Sequence, residues 1–204
     1  KNLRQKSHLQ HITELTKYLG QDYSGLRWLI TYAGVLGSGT LLITWLYQPY
    51  MKLVGLPLAY FGVAWAILNV SVGIFSHRAE WIENKLGKRT ALAIFPALFI
   101  SATILLFLFP RIEILIILLI IQFIRGISSP LISAYINNRT DSENRATILS
   151  AKNFFGRLIF AGLAPAIGRV ADIFSLTTAI LLWGAIVFTG AIVSILFLIK
   201  RKVI

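Results

Sequence analysis

The stretch Gln122–Gly168 reads QFIRGISSPLISAYINNRTDSENRATILSAKNFFGRLIFAGLAPAIG. An apolar run carrying Arg125 and Pro130 gives way to a short polar turn, Asn137 to Asn144. A second run, rich in small residues, follows. Two apolar spans joined by so brief a basic hairpin do not make a soluble core with its loop. They read as neighbouring membrane helices that meet on the positively charged side of a bilayer.

Composition extends that reading to the whole chain. Of its 204 residues 56% are hydrophobic and only 14% charged, and a soluble domain of this size cannot bury so much apolar surface. The formal net charge of +12 comes from residues at the ends of apolar runs rather than on one patch. That placement points away from nucleic acid and toward cytoplasmic loops and anionic membrane lipid. With no cysteine there is no disulfide and no thiolate metal site. No cofactor is expected. The chain opens at Lys1 without an initiator Met or a signal-peptide pattern, and so reads as part of something longer.

Residues 1–25 are polar and basic. Ser7 precedes Leu9, Ile12, Leu15, Tyr18 and Leu19 at helical spacing, with Gln10 completing a capping box. The stretch reads either as an amphipathic surface helix ending at Gly20 or as a disordered linker. Six apolar runs follow, at 26–47, 58–76, 90–109, 112–136, 148–170 and 176–199, and a basic tail closes the chain at 200–204. Each run is near the length needed to cross about 30 Å of hydrocarbon. The connections are short, with Pro110 and Arg111 turning the chain after the third span and Gly168 to Ser175 after the fifth.

Orientation follows from the cations. With the N-terminus inside, sixteen of the twenty Lys and Arg fall on the cytoplasmic side. Lys52, Arg111 and Arg169 fall outside, and Arg125 lies within a span. Both termini are therefore expected in the cytoplasm, in the cell inner (plasma) membrane. Trp45, Tyr47 and Tyr50 at the outer end of the first span suit the headgroup layer. Gly34, Gly37, Gly62, Ala66, Gly162 and Ala166 are expected to let helices approach closely.

Polar residues inside the spans carry the functional question. Arg125 lies thirteen residues from Ile112 and twelve from Asn137, about 18 Å from either edge at helical rise. A central arginine costs about 2.5–3.5 kcal/mol to insert, so it should face protein or a water-filled cavity. Gln122 and Ser129 share its side of the helix. Arg125 either meets an anionic or polar substrate or reports on a proton site elsewhere, or it serves structure by binding carbonyls or snorkelling to the cytoplasmic interface. Thr40, Thr44 and Gln48 form a ridge on the first span, and Gly62, Trp65, Asn69, Gly73 and Ser76 a face on the second. Both are pathway candidates, with interhelical hydrogen bonding as the competing role. Arg157, one turn after Asn153, is expected to snorkel to the inner interface. All eight acids sit in loops or at span ends, so proton-coupled efflux would need a carboxylate supplied by other sequence.

These residues resemble the major facilitator superfamily, in particular the C-terminal six-helix half of its bacterial drug-efflux-like members. Arg125-Gly126, Pro130 and Asn137, then Arg145 to Ser150 (RATILS), then Pro165, Gly168 and Asp172 resemble the family's tenth helix, inner loop and eleventh helix. Asn84-Lys85-Leu86-Gly87-Lys88-Arg89 resembles the second copy of its D-R-x-G-R-R loop, although Asn84 stands where an acid is expected and Glu80 where a glycine is. WLYQPY, Trp45 to Tyr50, is similar to the outer end of the seventh helix. The resemblance implies an all-α membrane fold of six helices, numbers seven to twelve, arranged as two inverted three-helix repeats. It implies a substrate cavity lined by helices seven and ten, which suits Gln48, Gln122 and Arg125. It also implies a small-molecule substrate moved by rocking against an N-terminal six-helix half.

Other classes fit less well. No phosphate-binding glycine loop or paired catalytic carboxylates appear, and the three histidines sit in or beside cytoplasmic segments. An enzyme is therefore not expected. The alternative is the membrane permease subunit of an ATP-driven pump, but the loops are short for coupling to an ATPase.

Overall fold

The computed structural model describes residues 24–204, with the backbone alone at Ile114. The amphipathic helix considered for residues 7–20 lies outside the described residues. Seven α-helices form the described chain: α1 (Ser24–Leu53), α2 (Phe61–His77), α3 (Ala79–Leu86), α4 (Lys88–Leu108), α5 (Leu118–Asn137), α6 (Arg145–Ile173) and α7 (Leu176–Lys200). Short 3₁₀ turns at Leu58–Tyr60 and Ile112–Ile117 lead into α2 and α5. All but α3 belong to six segments long and apolar enough to cross a membrane, and the chain reads as a multi-pass membrane protein.

Several ends differ from the sequence reading. The first helix runs six residues beyond Tyr47, through Pro49, to Leu53. Gln48 and Pro49 look like a stop by hydropathy. Yet Tyr50 and Met51 are buried, and the Tyr50 hydroxyl donates to the Leu106 carbonyl of α4 at 2.9 Å, which holds the last turn in place. The helix stops where Gly55 takes a φ of 83°, with Leu56 N–H returning to Met51 O at 3.0 Å and Gly55 N–H to Lys52 O at 3.2 Å. That pair of bonds satisfies the terminal carbonyls. The fifth span runs over Arg145–Ile173, so Gly168 is inside a helix and the turn shrinks to Phe174 and Ser175. Ser175 then caps α7 by accepting from Thr178 N–H at 3.0 Å. Residues 112–117, expected as helix, are the 3₁₀ turn.

The connection between the second and third spans also differs. It contains α3, a two-turn helix, and the chain reverses at Gly87, whose φ of 77° and ψ of 156° suit a residue without Cβ. Lys85 lies over the Trp81 ring at 4.7 Å, and Lys88 over the Tyr135 ring of α5 at 5.3 Å. Asn84 and Arg89 are exposed. Arg145 reaches the Asn137 carbonyl at 3.4 Å, across the turn between α5 and α6.

The principal helix neighbours are α1 with α6, α7 and α5; α2 with α5; α4 with α7 and α5; and α6 with α7. The core between them is tightly keyed. Trp183 of α7 is fully buried and donates to the Gly39 carbonyl of α1 at 3.1 Å. Tyr32 of α1 donates to the Leu92 carbonyl of α4 at 2.6 Å. At Gly126 a Cβ would stand 2.7 Å from the Val72 carbonyl oxygen, so α2 and α5 touch backbone to backbone there. Gly34 and Gly156 do the same for α1 and α6.

The other small residues behave differently. Gly37, Gly62 and Gly162 have open space where a Cβ would go, and Ala66 and Ala166 are exposed. Within the described residues only Gly34, of the six, makes the close approach expected of it. Both ends of the described chain meet at one end of the bundle: Trp28 stacks on Phe197 at 4.0 Å, and Arg139 holds the Val203 carbonyl at 2.6 Å.

Candidate functional site

A cavity of about 330 Å³ opens between α1, α5 and α6. From α1 come Ala33, Gly37, Thr40 and Leu41, one face of the helix at three- and four-residue spacing. From α5 come Arg125, Ser128, Ser129 and Ile132, and from α6 Lys152, Asn153, Gly156 and Arg157. Glycine opens the space: Gly37 leaves the wall bare, and Gly156 sits against Gly34 so that α6 approaches α1.

Three cations thus line one cavity, and no carboxylate is among its described lining residues. Arg125 is partly buried, and its Nη1 has no hydrogen-bond partner. Lys152 is 9% exposed, and its ammonium donates to Ser133 Oγ of α5 at 2.8 Å. Ser133 in turn donates to the Ser129 carbonyl at 2.7 Å. Arg157 is exposed at the rim, as are Asn153 and Ser129. Like charges that share one small space repel one another, more strongly where protein lowers the local dielectric.

Beside Arg125 lies a second group of buried polar atoms. Gln122 is fully buried, and neither its amide nitrogen nor its oxygen has a partner. The Tyr47 hydroxyl, next to Thr44 and within the field of Arg125, makes no well-formed hydrogen bond. Buried polar groups are ordinarily satisfied, so such a cluster marks a place where water or a ligand supplies the missing partners.

Of the expected cavity residues, Arg125 lines this cavity, while Gln122, Gln48, Thr44 and Asn69 do not. Gln48 is exposed near the end of α1. Thr44 donates to the Thr40 carbonyl at 2.8 Å, and Asn69 to that of Trp65 at 2.9 Å, each within its own helix. Lys152 and Arg157, two of the cations counted on the cytoplasmic side, also stand on the cavity wall. A signal was present: Lys152, Asn153 and Gly156 recur at the spacing of one helix face.

No protein-family model, curated protein or solved structure matches this chain. What the helices define is the class: among the described residues, an all-helical fold with six apolar segments long enough to span a membrane.

Proposed function

We propose that this chain is the C-terminal six-helix half of a secondary active transporter that moves a small solute by alternating access. It would work in the inner membrane with both termini cytoplasmic and without enzymatic activity, against an N-terminal six-helix half. The observation that carries the reading is the uneven burial of the helices. Only 6% of the most apolar stretch of the α2 segment and 11% of that of α6 is buried, against 39% to 56% for the other four. On those two helices Gly62, Ala66, Gly162 and Ala166 are exposed. Lipid demands no small residues, whereas a second helix bundle does. The cavity opens on α6, so a solute there would lie between two halves.

The neighbour pattern also supports two related halves within the chain. Exchanging α1 with α5, α2 with α6 and α4 with α7 turns the α1–α6 contact into α5–α2 and the α1–α7 contact into α5–α4. The α1–α5 and α4–α7 contacts map onto themselves, as two three-helix repeats require. The α6–α7 contact has no equally close α2–α4 counterpart.

The test uses the full-length protein in proteoliposomes. Solute flux driven by an ion gradient, without ATP hydrolysis, is expected. Arg125→Ala should abolish or alter it while leaving insertion intact. Flux that requires ATP, or that is unchanged in Arg125→Ala, rejects the reading.

A further inference from the structure

We infer that the cavity between α1, α5 and α6 is an anion site, and that the solute it takes carries a carboxylate or phosphate group. The substrate class rests on the carrier reading; the anion site itself does not.

Arg125, Lys152 and Arg157 converge on one space of about 330 Å³ from two helices, and no acid is among its described lining residues. Paired cations inside a bundle serve structure. Here the buried Arg125 Nη1 has no partner, and the Lys152 ammonium, a triple donor, makes one hydrogen bond, to a neutral hydroxyl. Unneutralised charge in a membrane-embedded cavity is expensive, and an anion offsets it. Arginine is suited to the task because its planar fork matches two oxygens of a carboxylate or phosphate, while lysine adds a point charge. Ser128, Ser129, Thr40 and Asn153 complete the wall with neutral polar groups. The volume sits at the low end of small-molecule pockets, about 300–1,000 Å³. It therefore fits a small organic anion or the phosphate head of an acidic lipid, and the two share one chemistry.

Thermal unfolding of the full-length protein in a neutral maltoside detergent, at constant ionic strength in chloride, decides the matter. Inorganic phosphate, benzoate and phosphatidylglycerol are added in separate arms. At least one should raise Tm in a saturable way, whereas phosphatidylcholine should not. Arg125→Gln and Arg157→Gln should each weaken the apparent affinity at least tenfold, with Arg125→Lys intermediate. Because Arg157 is at the rim, its variant tests the site without disturbing the core. A response to free phosphate or benzoate assigns a soluble anion; a response to phosphatidylglycerol alone assigns a headgroup. The inference is overturned if no arm stabilises the protein, as when acids from the other half neutralise the cations. It is equally overturned if stabilisation survives both glutamine variants. Gradient-driven flux without anion binding would sink the anion site and leave the carrier standing. Anion binding without flux would do the reverse.

Discussion

The Lys152 ammonium of α6 donates to Ser133 Oγ of α5 at 2.8 Å, joining two helices on opposite sides of a polar turn. Ser133 passes the bond on to the Ser129 carbonyl within α5. The link sits beside the cavity that Lys152 lines and fixes one wall of it.

Ser133→Ala leaves the buried ammonium without that acceptor and should destabilise the protein by about 1–3 kcal/mol. Lys152→Met in the same background should recover most of the loss, because removing both partners leaves nothing unsatisfied. A double-mutant cycle on Tm measures the coupling. Additive effects would show that the bond contributes little.

Gly126→Ala should be costly and Gly162→Ala should not. The new Cβ at Gly126 would meet the Val72 carbonyl oxygen at 2.7 Å, so α2 must move away from α5. Overpacking of this kind costs about 1–3 kcal/mol. At Gly162 nothing lies within 4 Å among the described residues, so this 204-residue chain, expressed alone, should be unharmed or stabilised by up to about 1 kcal/mol. Yield and Tm of the two variants of that chain, purified in detergent, give the comparison.

Gly87→Ala should weaken the turn between α3 and α4 by about 1–3 kcal/mol, because φ 77° and ψ 156° lie where essentially only glycine is stable. The cost is local to the backbone, since among the described residues nothing beyond the chain neighbours lies within 4 Å of a Cβ at the position. Faster proteolysis between α3 and α4 is the expected readout, and unchanged cleavage would argue that the loop rearranges freely.

These 204 residues hold no cysteine, so a single cysteine introduced into this chain is its one thiol and reports topology. Lys52→Cys should react with a membrane-impermeant maleimide on intact cells. Lys85→Cys should react only after permeabilisation. The opposite pattern would reverse the orientation argued from the cations.

The sequence by itself determined that six stretches are long and apolar enough to cross a membrane and that Lys and Arg gather at their ends. Both follow from local rules: apolar length sets a span, and charge stays at its edge. It also located Arg125 inside a span, because one cation in an apolar run is visible without a fold. Helix ends were less legible. Pro49 and Gly168 look like breaks, but buried partners carry α1 through Tyr50 and α6 reaches Ile173.

Only the tertiary structure decided which polar residues meet. Lys152 and Arg157 look like interface cations in one dimension, and they join Arg125 because α6 packs on α1 at Gly34 and Gly156. Thr44 and Asn69 each donate to a carbonyl of their own helix, a partner that spacing alone does not reveal. Spacing fixes the face a residue occupies on its helix; what that face meets depends on neighbours far along the chain, and close approach of backbones settles those.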